Sequence, residues 1–148
     1  MKPDFRFLAA FALLVVSAAA PATAQDAVAP ELELRRIMRE LNAGMQTVVD
    51  GISREDWALV AATAPKIANH REPEPAEKMK ILAFIGAEIG EFKGRDEESH
   101  QAALAMEKAA QKRDGLAVVS SFGEVQKACL ACHQTYRERF LAHFYSKH

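Results

Sequence analysis

The sequence predicts an all-α protein, a four-helix up-down antiparallel bundle. Three observations carry that reading. Apolar residues recur at alternating steps of three and four along four segments, the spacing of a helix face. The period-two alternation of a half-buried strand is absent. Short polar or Gly- and Pro-bearing stretches separate the segments, and short connections set neighbouring helices antiparallel. The 148 residues favour a single domain, and a hydrophobic share of 49% is enough for a packed core.

The first segment reads as an address. Residues 1–24 open with Lys2 and Arg6, run apolar from Phe7 to Ala20, and end on Ala22-Thr23-Ala24. Basic start, apolar run and small-residue site, in that order, make a cleaved secretory signal peptide. The apolar run falls short of the roughly 20 residues needed to cross a hydrocarbon core; an uncleaved anchor is the rival reading. The working domain is then residues 25–148, exported to the periplasm, and no later segment of it is apolar enough to span a membrane.

The helices follow in order. From Glu31 to Gly51 the residues Leu34, Met38, Leu41, Met45, Val48 and Ile52 form one apolar seam, with Pro30 ahead of it and Gly51 at its end. Ser53 is the expected N-cap of the next helix, with Glu55 and Asp56 in its first turn. That helix carries Trp57, Val60, Ala64 and Ile67 on one face, and Pro65 should kink or shorten it. His70 to Pro75 reads as a loop. A third helical region, about Ala76 to Arg113, carries Leu82, Ile85, Ile89 and Phe92. Gly94 interrupts it, and Asp96 and Ser99 occupy seam positions before Ala103, Met106 and Ala110 resume. The expectation is one long kinked helix, or two helices broken near Gly94. After a turn at Asp114-Gly115, the last helix runs from Leu116 almost to the C-terminus. Its inner face carries Val118, Phe122, Val125, Cys129, Cys132, Tyr136 and Phe140.

Charge excludes one class of partner. The chain has 19 Lys+Arg against 20 Asp+Glu, a net charge of −1, with no basic run. Nothing there attracts a phosphate backbone, so no nucleic acid is expected. No paired carboxylates, nucleophile–base constellation or phosphate loop appears, and the chain is not expected to be an enzyme.

The two cysteines are the chemical signal. A disulfide between Cys129 and Cys132 would close a tiny loop and constrain little of the unfolded chain. With His133 they form C-x-x-C-H, the attachment signature of c-type haem. On a helix, positions i, i+3 and i+4 share a face. Two thiols there can form thioethers to the haem vinyl groups while the imidazole reaches the iron. Three rivals compete: a zinc site with His143 and His148, a thioredoxin-like redox pair, and a chance pair of buried thiols. The first lacks a hairpin segment and the second lacks a strand. Haem c, one per chain and covalent, is the expected cofactor.

The stretch CLACHQTYRERF resembles the haem site of class II c-type cytochromes, the cytochrome c′ group. The likeness extends over nearly the whole exported chain: a Met-containing first helix, Asp114 at a helix end, and a late C-x-x-C-H-x-x-Y-R. The resemblance implies that Cys129 and Cys132 are the thioether residues and His133 the proximal ligand. Arg137 matches the family's basic residue beside the haem, with a solvated helix-end Arg as the alternative. Tyr136 is expected to serve core packing. In one branch of the family a first-helix Met fills the sixth position and the protein carries electrons, through partner proteins in the periplasm. Here that position falls on Met38, one heptad before Met45, and thioether ligation would raise the potential. In the other branch an apolar residue leaves the iron five-coordinate and open to NO or CO. Met38 and Met45 also fit the seam as core filler. His70, His100, His143 and His148 are expected as solvated surface residues. A homodimer is one assembly the resemblance allows; a haem peroxidase lacks a distal acid–base residue.

Overall fold

The computed structural model describes residues 31–145; the signal segment, residues 1–24, lies outside the described residues. Every regular element among the described residues is helical. Helix α1 spans Glu33–Ser53, α2 Trp57–Ala68, α3 Pro75–Ile85, α4 Ile89–Gln111, α5 Gly115–Cys132 and α6 Glu138–Tyr145. A 3₁₀ turn, Gly86–Glu88, joins α3 to α4, and one π turn, His133–Arg137, joins α5 to α6. Helices α1, α2, α4 and the α5–π–α6 rod are the four members of an all-α bundle. Helix α3 is an extra piece inside the connection between the second and third. Helix α4 packs along α5 and α2, and α2 along α1. The remaining seam, α1 against α5, is the thinnest of the four.

Several boundaries differ from the sequence expectation, each for a local reason. Ser53 closes α1 and does not start α2: its hydroxyl donates to the Val49 carbonyl at 2.8 Å. The cap of α2 is Asp56, whose carboxylate accepts the Leu59 N–H at 3.0 Å. Pro65 stands inside α2, which continues three residues past it to Ala68. The third helical region breaks at Gly86 and not at Gly94. Gly86 has φ +61° and ψ −126°, backbone that a Cβ forbids. Gly94 sits inside α4 with open space around it, where a glycine costs only about 1 kcal/mol of propensity.

The seam of α1 is also rotated from its expected centre. Ile37 is 1% exposed, whereas Met38 is 37% exposed. Val48, Val60, Met106, Val118 and Val125 are fully buried and bring all four bundle helices into one main core. A second, smaller cluster gathers Ile81, Ile85 and Tyr136, with Leu34, Phe84, Phe92, Cys132 and Phe140 packed against it. Gly115, capped by Asp114 through the Ala117 N–H at 3.0 Å, lets the Trp57 indole lie across the start of α5. A Cβ there would come 2.9 Å from the ring.

Met106 lies at the centre of the main core with no exposure. Met106→Ala should cost about 2–5 kcal/mol, read as a lower urea midpoint with an unchanged slope.

Candidate haem site

Cys129 and Cys132 are free thiols, each partly buried on the inner face of α5. They face different surroundings. Cys129 packs against the main core, and Cys132 against the second cluster. Burial pushes the Cys129 thiol above its ordinary value, while a hydrogen bond with Ser99 opposes the shift. Burial, reinforced by the Asp96 charge, pushes Cys132 up to about 11. Both are therefore protonated at neutral pH and slow in thiol–disulfide exchange, which needs the thiolate. A redox-active pair would want the opposite.

His133 follows at the first position of the π turn and is exposed. Partial desolvation, then the Arg137 charge one turn on, holds its imidazole below the ordinary value of 6.5. A neutral imidazole keeps a lone pair for a metal. Arg137, exposed at the end of the same turn, is thus within electrostatic reach of His133. Tyr136 is 2% exposed, with its ring edge-on to Phe92 at 5.3 Å, so it is core, as expected.

The chain's own atoms fit a haem here. Two thiols one helical turn apart and an adjacent imidazole are the donor set that a covalently attached haem requires. Two buried polar atoms near Cys132, the Tyr136 hydroxyl and Arg95 Nε, have no hydrogen-bond partner, which is rare in a finished interior.

The residues of α4 that face this site were not singled out as functional in the sequence reading. Ser99, Asp96 and Arg95 all act on the thiols, and two of them fill the polar interruption in the α4 seam. That interruption was the available signal. Asp96 also accepts from His70 Nε2 at 3.0 Å, and the other ring nitrogen faces the Arg71 carbonyl at 3.0 Å. His100 Nδ1 donates to the Ala68 carbonyl at 2.8 Å. These two histidines are structural ties and not solvated surface residues. His143 stacks on Phe84 at 4.5 Å, and His148 lies outside the described residues. Among the described residues no three His, Cys, Asp or Glu side chains converge on a metal position, so nothing supports the zinc alternative. Met45 is buried in the main core. Met38 stands on α1, the helix across the thin seam from α5.

A family model described as Cytochrome C' matches residues 33–137. The chain belongs to the cytochrome c′ family. No curated protein and no solved structure matches it. Membership implies a covalently bound c-type haem. No described helix is long and apolar enough to cross a membrane.

Two expectations follow. Haem should stay with the polypeptide through denaturing electrophoresis, and Cys129→Ala together with Cys132→Ala should abolish that retention. The second concerns His70 and Asp96. The Asp96 hydrogen bond raises the His70 pKa, and His70 lowers that of Asp96. The histidine contribution is complete below its ordinary 6.5 and is lost as pH rises through the raised value. The aspartate contribution is complete above its ordinary 3.8 and is lost as pH falls through the lowered one. The Tm deficit of His70→Ala should therefore be greatest at about pH 5–6 and shrink on going alkaline.

Proposed function

We propose that this cytochrome c′ family member is a periplasmic single-electron carrier and not an enzyme. One haem per chain would be held by Cys129 and Cys132, with His133 and Met38 as axial ligands. The haem supplies a reversible one-electron couple when bound; the chain's residues determine how it is held. The observation that carries the reading is the thin α1–α5 seam. Leu34 of α1 and Cys132 of α5 already share the second cluster across it, and Met38 follows Leu34 by one helical turn. Its side chain is left 37% exposed on an otherwise inward seam, as fits a group whose cover is a cofactor. His133, its pKa lowered by partial desolvation and the Arg137 charge, would offer its lone pair to the iron. The tightly packed α4–α5 pair keeps the attachment points still, which suits electron exchange with little rearrangement. Export rests on the signal pattern of residues 1–24, and redox partner proteins would meet the carrier in the periplasm.

A second reading rests on Ile37. At 1% exposure it, and not Met38, is the most buried residue of its turn. An apolar residue turned inward there favours a five-coordinate iron that binds NO or CO.

Spectra of the haem-loaded protein decide between them. Sharp low-spin bands, a weak methionine–ferric charge-transfer band and indifference to CO are expected. Met38→Ala should turn that spectrum high-spin and CO-reactive. An unmodified protein that is already high-spin and shifts with CO would overturn Met38 ligation in favour of the second reading.

A further inference from the structure

Helix α1 begins without a side-chain cap of its own. Its acceptors come from α3. The Glu77 carboxylate takes the N–H groups of both Glu33 and Leu34, each at 2.8 Å. In return the Glu33 carboxylate accepts the Glu74 N–H at 2.9 Å, immediately ahead of α3, and pairs with Arg71. Two helices remote in sequence thus satisfy each other's orphan amides, the role that a local capping box fills within one helix. The far end of α3 is built differently. Gly86 adopts its positive φ with no atom within 4 Å of where a Cβ would stand. Between the carboxylate clasp and this glycine, α3 lays Ile81, Phe84 and Ile85 over the cluster that contains Tyr136 and Cys132. That cluster is separate from the main core, so it can open without unpacking the α2–α4–α5 body.

We propose that α3 is a cover for the haem attached at Cys132, hinged at Gly86 and held shut by the Glu33–Glu77 clasp. A ring joined to the Cys132 sulfur enters the apolar cluster that α3 roofs. The cover swings aside for attachment and closes afterwards over the ring edge. Closing it also fixes the first turn of α1, and with it Leu34, against the same cluster. Glu77 is a positioning residue in this scheme. The inference rests on haem attachment at Cys132 and is independent of whether Met38 ligates the iron.

The test compares Glu77→Ala with the unmodified haem-loaded protein by two measurements. Amide exchange should rise at Glu33, Leu34 and along α3, while α4 and α5 keep their protection. The rate of CO association with the reduced haem, read with Met38→Ala present in both proteins so that the iron is open to CO, should rise by about fivefold or more, since local opening governs access. With Met38 replaced in both, the rate reports passage under the cover whichever reading of the iron holds. The spectrum of the unmodified protein judges Met38, and the ratio of rates judges the cover. A smaller change in rate overturns the proposal, as does unchanged exchange at Glu33 and Leu34, or a rise spread evenly over α4 and α5. Should Glu77→Ala fail to fold, Glu77→Gln, which keeps a weaker neutral acceptor, must show the same local pattern and direction.

Discussion

The last helix must turn Cys129, Cys132, Tyr136 and Phe140 toward one interior, and the packing around them depends on that alignment. Each residue of an α-helix advances about 100°, so a step of four overshoots a full turn and a step of three undershoots it. Alternating steps cancel, and the seam from Val118 to Cys132 alternates. After Cys132 come two steps of four in succession, which carry the stripe back by about 80° and leave Tyr136 and Phe140 on the inner face. The π turn at His133–Arg137 holds Tyr136, and its wider bonds accommodate one extra residue. Tyr136 is 2% exposed and anchors the second cluster. The first residue of that turn is His133.

The interior is divided along that face. The α5 face joins the main core as far as Cys129; from Cys132 onward it joins the cluster roofed by α3. The two thiols straddle the boundary, one in each. Polar residues gather on the α4 side at that junction, where a continuous apolar seam would pack better. Ser99 bonds the Cys129 thiol, Asp96 ties the His70 loop to α4, and Arg95 pairs outward with Glu91 and Glu98 while its buried Nε stays unpaired. Exposed ion pairs of this kind add little stability. Their place opposite the thiols, and not their strength, accounts for the interruption in the seam.

How much of this was legible in the sequence depends on the range of the interaction. The α5 face was read residue for residue, because its burial is set by spacing along one helix. The four-helix architecture and C-x-x-C-H were legible for the same reason. The caps at Asp56 and Asp114 are chemically plain, yet Ser53 competed for the first, and only the turn geometry at Glu55, with φ +54°, chooses between them. Gly86 and Gly94 look alike in sequence; which one breaks the helix depends on whether α3 must fold back over Tyr136. The Glu77 clasp was invisible, since nothing local to Glu77 points to the amides of Glu33 and Leu34. The rotation that buries Ile37 in place of Met38 is likewise a consequence of what α1 faces.

The unequal seams bear on what this cytochrome c′ fold can do. Three of the four hold the α2–α4–α5 body and the first strip of α1 together, and Cys129, Cys132 and His133 all belong to that body. The side that would supply a sixth ligand belongs to α1 near its start. There the helix is held by borrowed carboxylates, by the Tyr145 hydroxyl accepting the Leu32 N–H at 3.3 Å, and by Arg35 lying over the Tyr145 ring. Such contacts at a partly exposed helix end are each worth on the order of 1 kcal/mol. If Met38 is the sixth ligand, the balance between a ligated and an open iron is set at the start of α1 and not in the core. A change of a few side chains there could shift it without disturbing the bundle, which gives a physical reason for one fold to support both an electron carrier and a gas-binding protein.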